Sequence, residues 1–298
     1  MNLKTKLNKL VFQNPITTAS GTFGSEMEEY VNFNKLGAIV TKTITKERKA
    51  GNPSPRLYET EWGLLNSIGL QNPGVESFIT ETIPLYEKYQ TPLIVSFSAS
   101  TQEEFMEVLS RLESVNSISG YEVNVSCPNV ENEGLAFGVD AQVVNELTAK
   151  LRKLTKKELI IKLTPNVTNI VDIAIAAKEG GADSLALINT LLGMAIDPMT
   201  GKSRIMKKIC GYSGSAIKPV ALANVYRVAQ AIDIPILAMG GAENYLDVLE
   251  FIYAGASMVA IGTANFYNPA ITEKIISDLS QHFSKYNLTM DKIRGKSF

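Results

Sequence analysis

Eight short runs of apolar and β-branched residues recur along this chain, each followed by a crossover segment. They are "PITTAS" (15–20), "AIVTKT" (38–43), "LIVSFS" (93–98), "YEVNVS" (121–126), "LIIKL" (159–163), "SLALIN" (184–189), "PILAMG" (235–240) and "SMVAIG" (257–262). Helical spacing marks 101–114, 140–154, 168–179, 215–230, 244–254 and 269–284 between them. Near-continuous hydrophobicity suits strands buried on both faces, the situation of a parallel sheet covered by helices. "EGGAD" (179–183) and "YAGAS" (253–257) end a helix on glycine just before the next strand. The pattern predicts an α/β fold: one (β/α)8 barrel over residues 1–298, with long loops inserted after strands two (44–74) and six (190–214). An open doubly wound sheet would carry a GxGxxG fingerprint after its first strand, and "TASGTFGSEMEEY" copies that poorly.

Composition removes several function classes. A net charge of −1 gives no basic excess for nucleic acid or an anionic membrane surface. The opening "MNLKTKLNKLVFQNP" lacks the apolar core of a signal peptide, and no apolar run reaches the ~18 residues of a membrane span. A cytoplasmic protein is expected. Two cysteines and one histidine exclude a disulfide framework, a zinc or iron–sulfur centre held by this chain alone, and a histidine-based triad. No metal site is expected. His282, in "DLSQHFSKY", reads as a surface helix residue.

Barrel active sites form where the strands finish. There the chain places Ser20–Gly21, Lys42–Thr43, Ser96, Asn124, Lys162, Asn189–Thr190, Gly240–Gly241 and Gly262–Thr263. A polar group in an apolar strand costs free energy unless it finds a partner, so a full ring of them favours a ligand over structural accident. "MGGAENYLD" and "IGTANF" set glycines and helix starts after strands seven and eight, where barrels commonly bind phosphate on backbone N–H groups.

Two interior lysines, Lys42 and Lys162, admit three readings: structural ion-pair partners, Schiff-base nucleophiles, or fixed cations beside the pyrimidine end of a flavin. Cys127 follows strand four and precedes Pro128, which takes the chain out of the strand onto a loop. An isolated thiol is usually inert packing. On a loop over a barrel mouth, with no catalytic histidine in reach, it is instead the candidate general base. Residues 131–138 form a candidate lid.

Taken together, the segments resemble the class 1 dihydroorotate dehydrogenases, and in form the class 1B flavoprotein subunit. The resemblance runs from "NPITTASGTFG" to "GTANFYNP" and rests on "GNPSPRLYET", "LLNSIGLQNPG", "NVSCPNV", "KLTPNVTNI", "LINTLLGMAID", "SGSAIKP" and "MGGAENYLDVLEFIYAGASMVAIGTANF". It implies FMN at the C-terminal face of the strands, contacted by Ser20, Gly21, Lys42, Thr43, Ser96, Asn124, Lys162 and Ile188. Its phosphate would lie on Gly214, Gly240, Gly241, Gly262 and Thr263. Dihydroorotate or orotate would be held by Lys42, Asn66, Ser67, Ile68, Gly69, Leu70, Asn124, Asn189 and Thr190. Cys127 would take a proton from C5 while a hydride passes from C6 to flavin N5. The 1B form further implies a partner subunit carrying FAD and a [2Fe–2S] cluster that passes electrons to NAD+; a homodimer of this chain, or a heterotetramer with that subunit, is expected.

The chain also departs from the family pattern. Ser96 stands where the family has a flavin-contacting Asn, and "CGYSGSA" (210–216) brings Cys210 and Tyr212 toward the phosphate loop. Alternatives are a class 1A-like homodimer using fumarate, a phosphate-binding aldolase or isomerase barrel using Lys42 or Lys162, and a binding barrel without turnover.

Overall fold

The computed structural model describes residues 3–126 and 137–298. The chain opens with a hairpin of β1 (Thr5–Lys6) and β2 (Val11–Phe12). All eight expected strands then appear: β3 (Ile16–Thr18), β4 (Ile39–Val40), β7 (Leu93–Phe97), β8 (Ile118–Asn124), β9 (Glu158–Lys162), β10 (Ser184–Leu187), β13 (Ile236–Met239) and β14 (Met258–Ile261). They pair in parallel in the order β3-β14-β13-β10-β9-β8-β7-β4. A parallel bridge between Thr17 and Ala38 joins β3 to β4 and closes the ring. The architecture is a (β/α)8 barrel.

Its interior is filled rather than hollow. Val40, Ile94, Ile160, Ala186, Leu237 and Ala260 point inward, and Leu7 and Phe12 of the N-terminal hairpin plug the lower end. Outward-facing strand residues pack on helices in a larger cluster that includes Val95, Val123, Ile161, Leu185 and Val259. Alternate residues of one strand thus serve both cores, which is why the strands read as continuously apolar.

The helices start where their caps dictate. Thr101 accepts from Glu104 N–H at the head of Gln102–Glu113, and Asp140 from Val143 N–H at the head of Ala141–Leu154. Asn169 caps Ile170–Glu179, and Asn244 forms a capping box with Asp247 before Tyr245–Tyr253. Lys218–Ala231 and Ile271–Tyr286 complete the set expected from sequence. His282 is half-buried rather than a free surface residue, its ring between Tyr245 and Tyr286 with centroids at 5.5 and 4.7 Å.

Two crossovers differ from that expectation. The first holds only 3-10 turns, Ser25–Glu29 and Phe33–Lys35. The second ends in helical turns, Val75–Ser77, Phe78–Thr82 and Ile83–Tyr86, with the middle one a π turn. Pro84 has no N–H to offer the carbonyl one turn back, so a regular ladder is interrupted there.

The long insertions are not irregular loops. They supply β5 (Leu57–Thr60), β6 (Gly63–Asn66), β11 (Leu191–Gly193) and β12 (Cys210–Ser213), which form one antiparallel sheet in the order β11-β12-β6-β5. Leu65 pairs with Tyr212, and Tyr212 with Leu191, so the excursions after barrel strands two and six are stitched together.

Candidate active site

The barrel mouth opens into a cavity of about 810 Å³. Its floor is Ser20, Lys42, Asn124, Lys162 and Ile188 at the strand ends, and the antiparallel sheet contributes Leu64, Asn66, Leu192, Gly211 and Ser213 to its wall. A volume of this size falls within the ~300–1,000 Å³ typical of small-molecule sites.

Nearly every residue singled out from sequence lines this one cavity. Ser20, Gly21, Lys42, Thr43, Asn124, Lys162, Ile188, Gly214, Gly240, Gly241, Gly262 and Thr263 are all present, as are Asn66, Ser67, Ile68, Gly69, Leu70, Asn189 and Thr190. Ser96 is not among the lining residues. Strand β7 places it one level below the mouth, fully buried, where its hydroxyl is shared between Thr43 Oγ1 and Glu122 Oε1, each at 2.9 Å. Ser100, four residues further on, lines the cavity instead. Cys127 and most of the 131–138 segment lie outside the described residues.

The amides of the site are held in fixed orientations. Asn124 Oδ1 accepts from the Ser126 N–H at 3.1 Å and from Asn189 Nδ2 at 3.2 Å. Among the described residues the Asn124 NH2 group has no acceptor, so it can donate to a ligand. Asn189 Nδ2 also donates to Ser126 Oγ at 2.9 Å, and its Oδ1 accepts from the Thr190 N–H at 2.8 Å. Asn166, which the sequence did not single out, bonds the Thr190 carbonyl at 3.0 Å and the Leu192 N–H at 3.1 Å, tying β11 to the mouth.

Positive charge dominates the lining. Lys42 is exposed and has no salt bridge among the described residues. Lys162 Nζ is nearly buried, donates to Ser20 Oγ at 2.8 Å and stands 3.6 Å from Glu122 Oε1. Lys49, Arg56 and Lys207 join them from the insertions, against one acidic lining residue among the described residues, Glu243. Sequence reading missed these three because only tertiary pairing swings the insertions back over the mouth. Such a cavity favours anions.

At the ends of β12, β13 and β14 three turns converge. Thr263 Oγ1 donates to Ser213 Oγ at 2.8 Å, drawing the last of them to the first. Gly241 has φ +84°, and a Cβ there would lie 2.8 Å from the Gly214 carbonyl oxygen, so the protein's own packing demands glycine. Gly262 is different. Its φ is ordinary, and a Cβ would meet only Ala19 Cβ at 3.4 Å and Thr22 Cγ2 at 3.8 Å. Among the described residues nothing requires glycine there, and the backbone at Gly262 is open to close approach from the cavity.

Cys210 lies on β12, buried beside Leu65 and Ile205, with Sγ 3.5 Å from the Gly193 carbonyl. Burial pushes its thiol pKa up, which makes it a packing residue rather than a nucleophile.

A model of the family described as dihydroorotate dehydrogenase matches residues 2–283. The chain is 49% identical over 298 residues to the "Dihydroorotate dehydrogenase B (NAD(+)), catalytic subunit" of Alkaliphilus metalliredigens (strain QYMF), covering 99% of this chain and 98% of that protein. Proteins of the same name match at 46%: that of Thermoanaerobacter pseudethanolicus (strain ATCC 33223 / 39E) over 97% of this chain and 96% of its own length, that of Malacoplasma penetrans (strain HF-2) over 99% and 98%.

Proposed function

The chain belongs to the dihydroorotate dehydrogenase family, and on that premise we propose that it oxidises (S)-dihydroorotate to orotate in pyrimidine synthesis, as the class 1B catalytic subunit. The observation that carries the proposal is the gathering of the candidate cofactor and substrate residues, drawn from seven strand ends and two insertions, around one cationic cavity.

The residues present suit FMN. Ile188 and Met239 offer apolar surface for a ring, and Asn124 and Lys162 offer donors for its polar edge. The turns at Gly214, Gly240–Gly241 and Gly262–Thr263 suit a phosphate, and Gly262 has the open approach it needs. When bound, the flavin supplies the acceptor for the hydride leaving C6 of the substrate.

The chain's own side chains bind and orient the substrate. Lys42, unpaired and exposed to the cavity, meets the carboxylate of dihydroorotate. Asn66 through Leu70, with Asn189 and Thr190, hold the ring's carbonyl and N–H groups. The antiparallel sheet shields the site from water. Cys127 takes the C5 proton; this role rests on the sequence resemblance and on its place one residue beyond Ser126. This chain forms a homodimer, or a heterotetramer with a subunit carrying FAD and a [2Fe–2S] cluster, through which electrons leave for NAD+; the relatives' designation as catalytic subunits supports a partner.

The test is anaerobic. The purified protein should absorb near ~450 nm, as oxidised flavins do, and bleach on mixing with dihydroorotate. A flavin-loaded protein that dihydroorotate leaves oxidised would overturn the reading.

A further inference from the structure

Beneath the cavity runs a polar chain that a binding floor does not need. Glu122, on β8, has zero solvent exposure. The interior of the barrel around it is apolar, with Val40, Ile94, Ile160 and Ala186. Its Oε1 accepts from Ser96 Oγ at 2.9 Å and lies 3.6 Å from Lys162 Nζ, while Oε2 has no hydrogen-bond partner among the described residues. Ser96 Oγ also meets Thr43 Oγ1 at 2.9 Å, and Lys162 Nζ donates to Ser20 Oγ at 2.8 Å. Thr43, Lys162 and Ser20 line the cavity; Glu122 does not.

Stability does not account for this carboxylate. Burying it is costly, and the orphaned oxygen adds the desolvation penalty of a group left without a partner. The 3.6 Å separation from Lys162 is longer than a charge-assisted hydrogen bond, usually about 2.7–2.9 Å. Barrel interiors fill such positions with branched aliphatic residues, and an apolar replacement of a buried ion pair is often neutral or stabilising. The group therefore has to be explained by what it does to Lys162.

We propose that Glu122 is a positioning residue of the redox site: it anchors Lys162 and partly cancels the positive charge that Lys162 presents to the flavin. An uncompensated cation in a site of low dielectric would favour the anionic reduced ring. The carboxylate turns that cation into a dipole, so reduced flavin is held less tightly and gives up its electrons more readily. The inference rests on reading the cavity as a flavin site.

The experiment is a redox titration of the flavin-loaded protein against reference dyes, on wild type, Glu122→Gln, Lys162→Met and the double variant. Glu122→Gln should shift the oxidised–reduced equilibrium toward reduced flavin by on the order of tenfold, the scale of one buried charge acting at an effective dielectric of ~20. For a two-electron couple that is a rise of ~30 mV. Lys162→Met should shift it the other way. In the Lys162→Met background Glu122→Gln should shift the equilibrium by clearly less, because the lysine that the carboxylate positions is gone. Equal shifts in both backgrounds would overturn the relay through Lys162, and a wild-type potential in Glu122→Gln would overturn the inference outright. If Glu122→Gln does not fold, Glu122→Asp replaces it. The shorter side chain draws the charge away from Lys162 and should move the potential in the same direction by less; an unchanged potential there counts equally against the proposal. Protein that binds no flavin sinks the underlying reading, whereas flavin that dihydroorotate bleaches at an unaltered potential sinks only this inference.

Discussion

The two ends of the barrel each bury a glutamate, and they treat it in opposite ways. At the base, Glu158 accepts from the Lys9 N–H at 2.7 Å through one oxygen and from Ser184 Oγ at 2.7 Å through the other. Beside it Asp183 takes Lys9 Nζ at 2.8 Å, Asn8 Nδ2 at 3.1 Å, the Leu159 N–H at 2.9 Å and the Arg152 guanidinium. These bonds clamp the N-terminal hairpin under the barrel. Just below the mouth, Glu122 has one oxygen without a partner among the described residues and its cation at arm's length, and the polar groups above it face a cavity. The difference separates polar burial that closes a structure from polar burial that keeps a site poised. Variants at the mouth should change ligand chemistry and leave the fold; variants at the base should do the reverse.

The largest effect expected is at the mouth. Cys127→Ser should keep its flavin and still bind orotate, yet lower the rate of flavin reduction at neutral pH by about 10²–10⁴-fold, the usual worth of a general base. Stopped-flow bleaching reads it directly, and wild-type kinetics would remove the thiol from the mechanism. Next comes the base. Glu158→Ala orphans the Lys9 N–H and the Ser184 hydroxyl and should cost about 2–4 kcal/mol of stability in denaturant melts. Its rate of flavin reduction should stay at the wild-type value, and a slow but stable variant would break the contrast between the ends.

Gly262→Ala is the sharper probe of the mouth. Its Cβ fits the protein without a clash, so the melting point should hold while FMN affinity falls by about tenfold, ~1.4 kcal/mol. Equilibrium flavin release measures it; unchanged affinity would move the phosphate elsewhere. The smallest effect is a slope. Burial raises the Glu158 pKa, with the Ser184 and Lys9 hydrogen bonds acting in the opposite direction. The folded state therefore holds that proton more tightly than the unfolded chain. This contribution to stability is fully present below the ordinary carboxylate pKa of 4.5 and is lost as pH rises through the raised value. Melting curves across that window should show a wild-type decline of at most about 1.4 kcal/mol per pH unit from this group, absent in Glu158→Gln.

Much of the molecule was legible in its sequence. Barrel strands announce themselves by apolar runs, and the polar residue closing each run marks the mouth. The helical turns at 75–86 escaped because Pro84 breaks their periodicity. The antiparallel sheet escaped because its strands are three or four residues long and its two halves are joined by a pairing across about 150 positions, that of Leu65 with Tyr212. The resemblance implies a flavin contact for Ser96, which stands where the family has Asn, yet its register beside Glu122 sets it one level below Asn124 and Lys162, and Ser100 lines the cavity instead. Closing a barrel requires strands to stagger, and no single strand encodes its own stagger.

Sequence by itself determined what is local: which segments are strands and helices, which turns need glycine, and which catalytic chemistries lack their residues. The tertiary structure alone decided the height of each side chain in the barrel, the folding of two insertions into one wall, and the meeting of Glu122 with Lys162. Periodicity is written within a few neighbouring residues, whereas register, closure and burial exist only once strands far apart in the chain have been brought side by side.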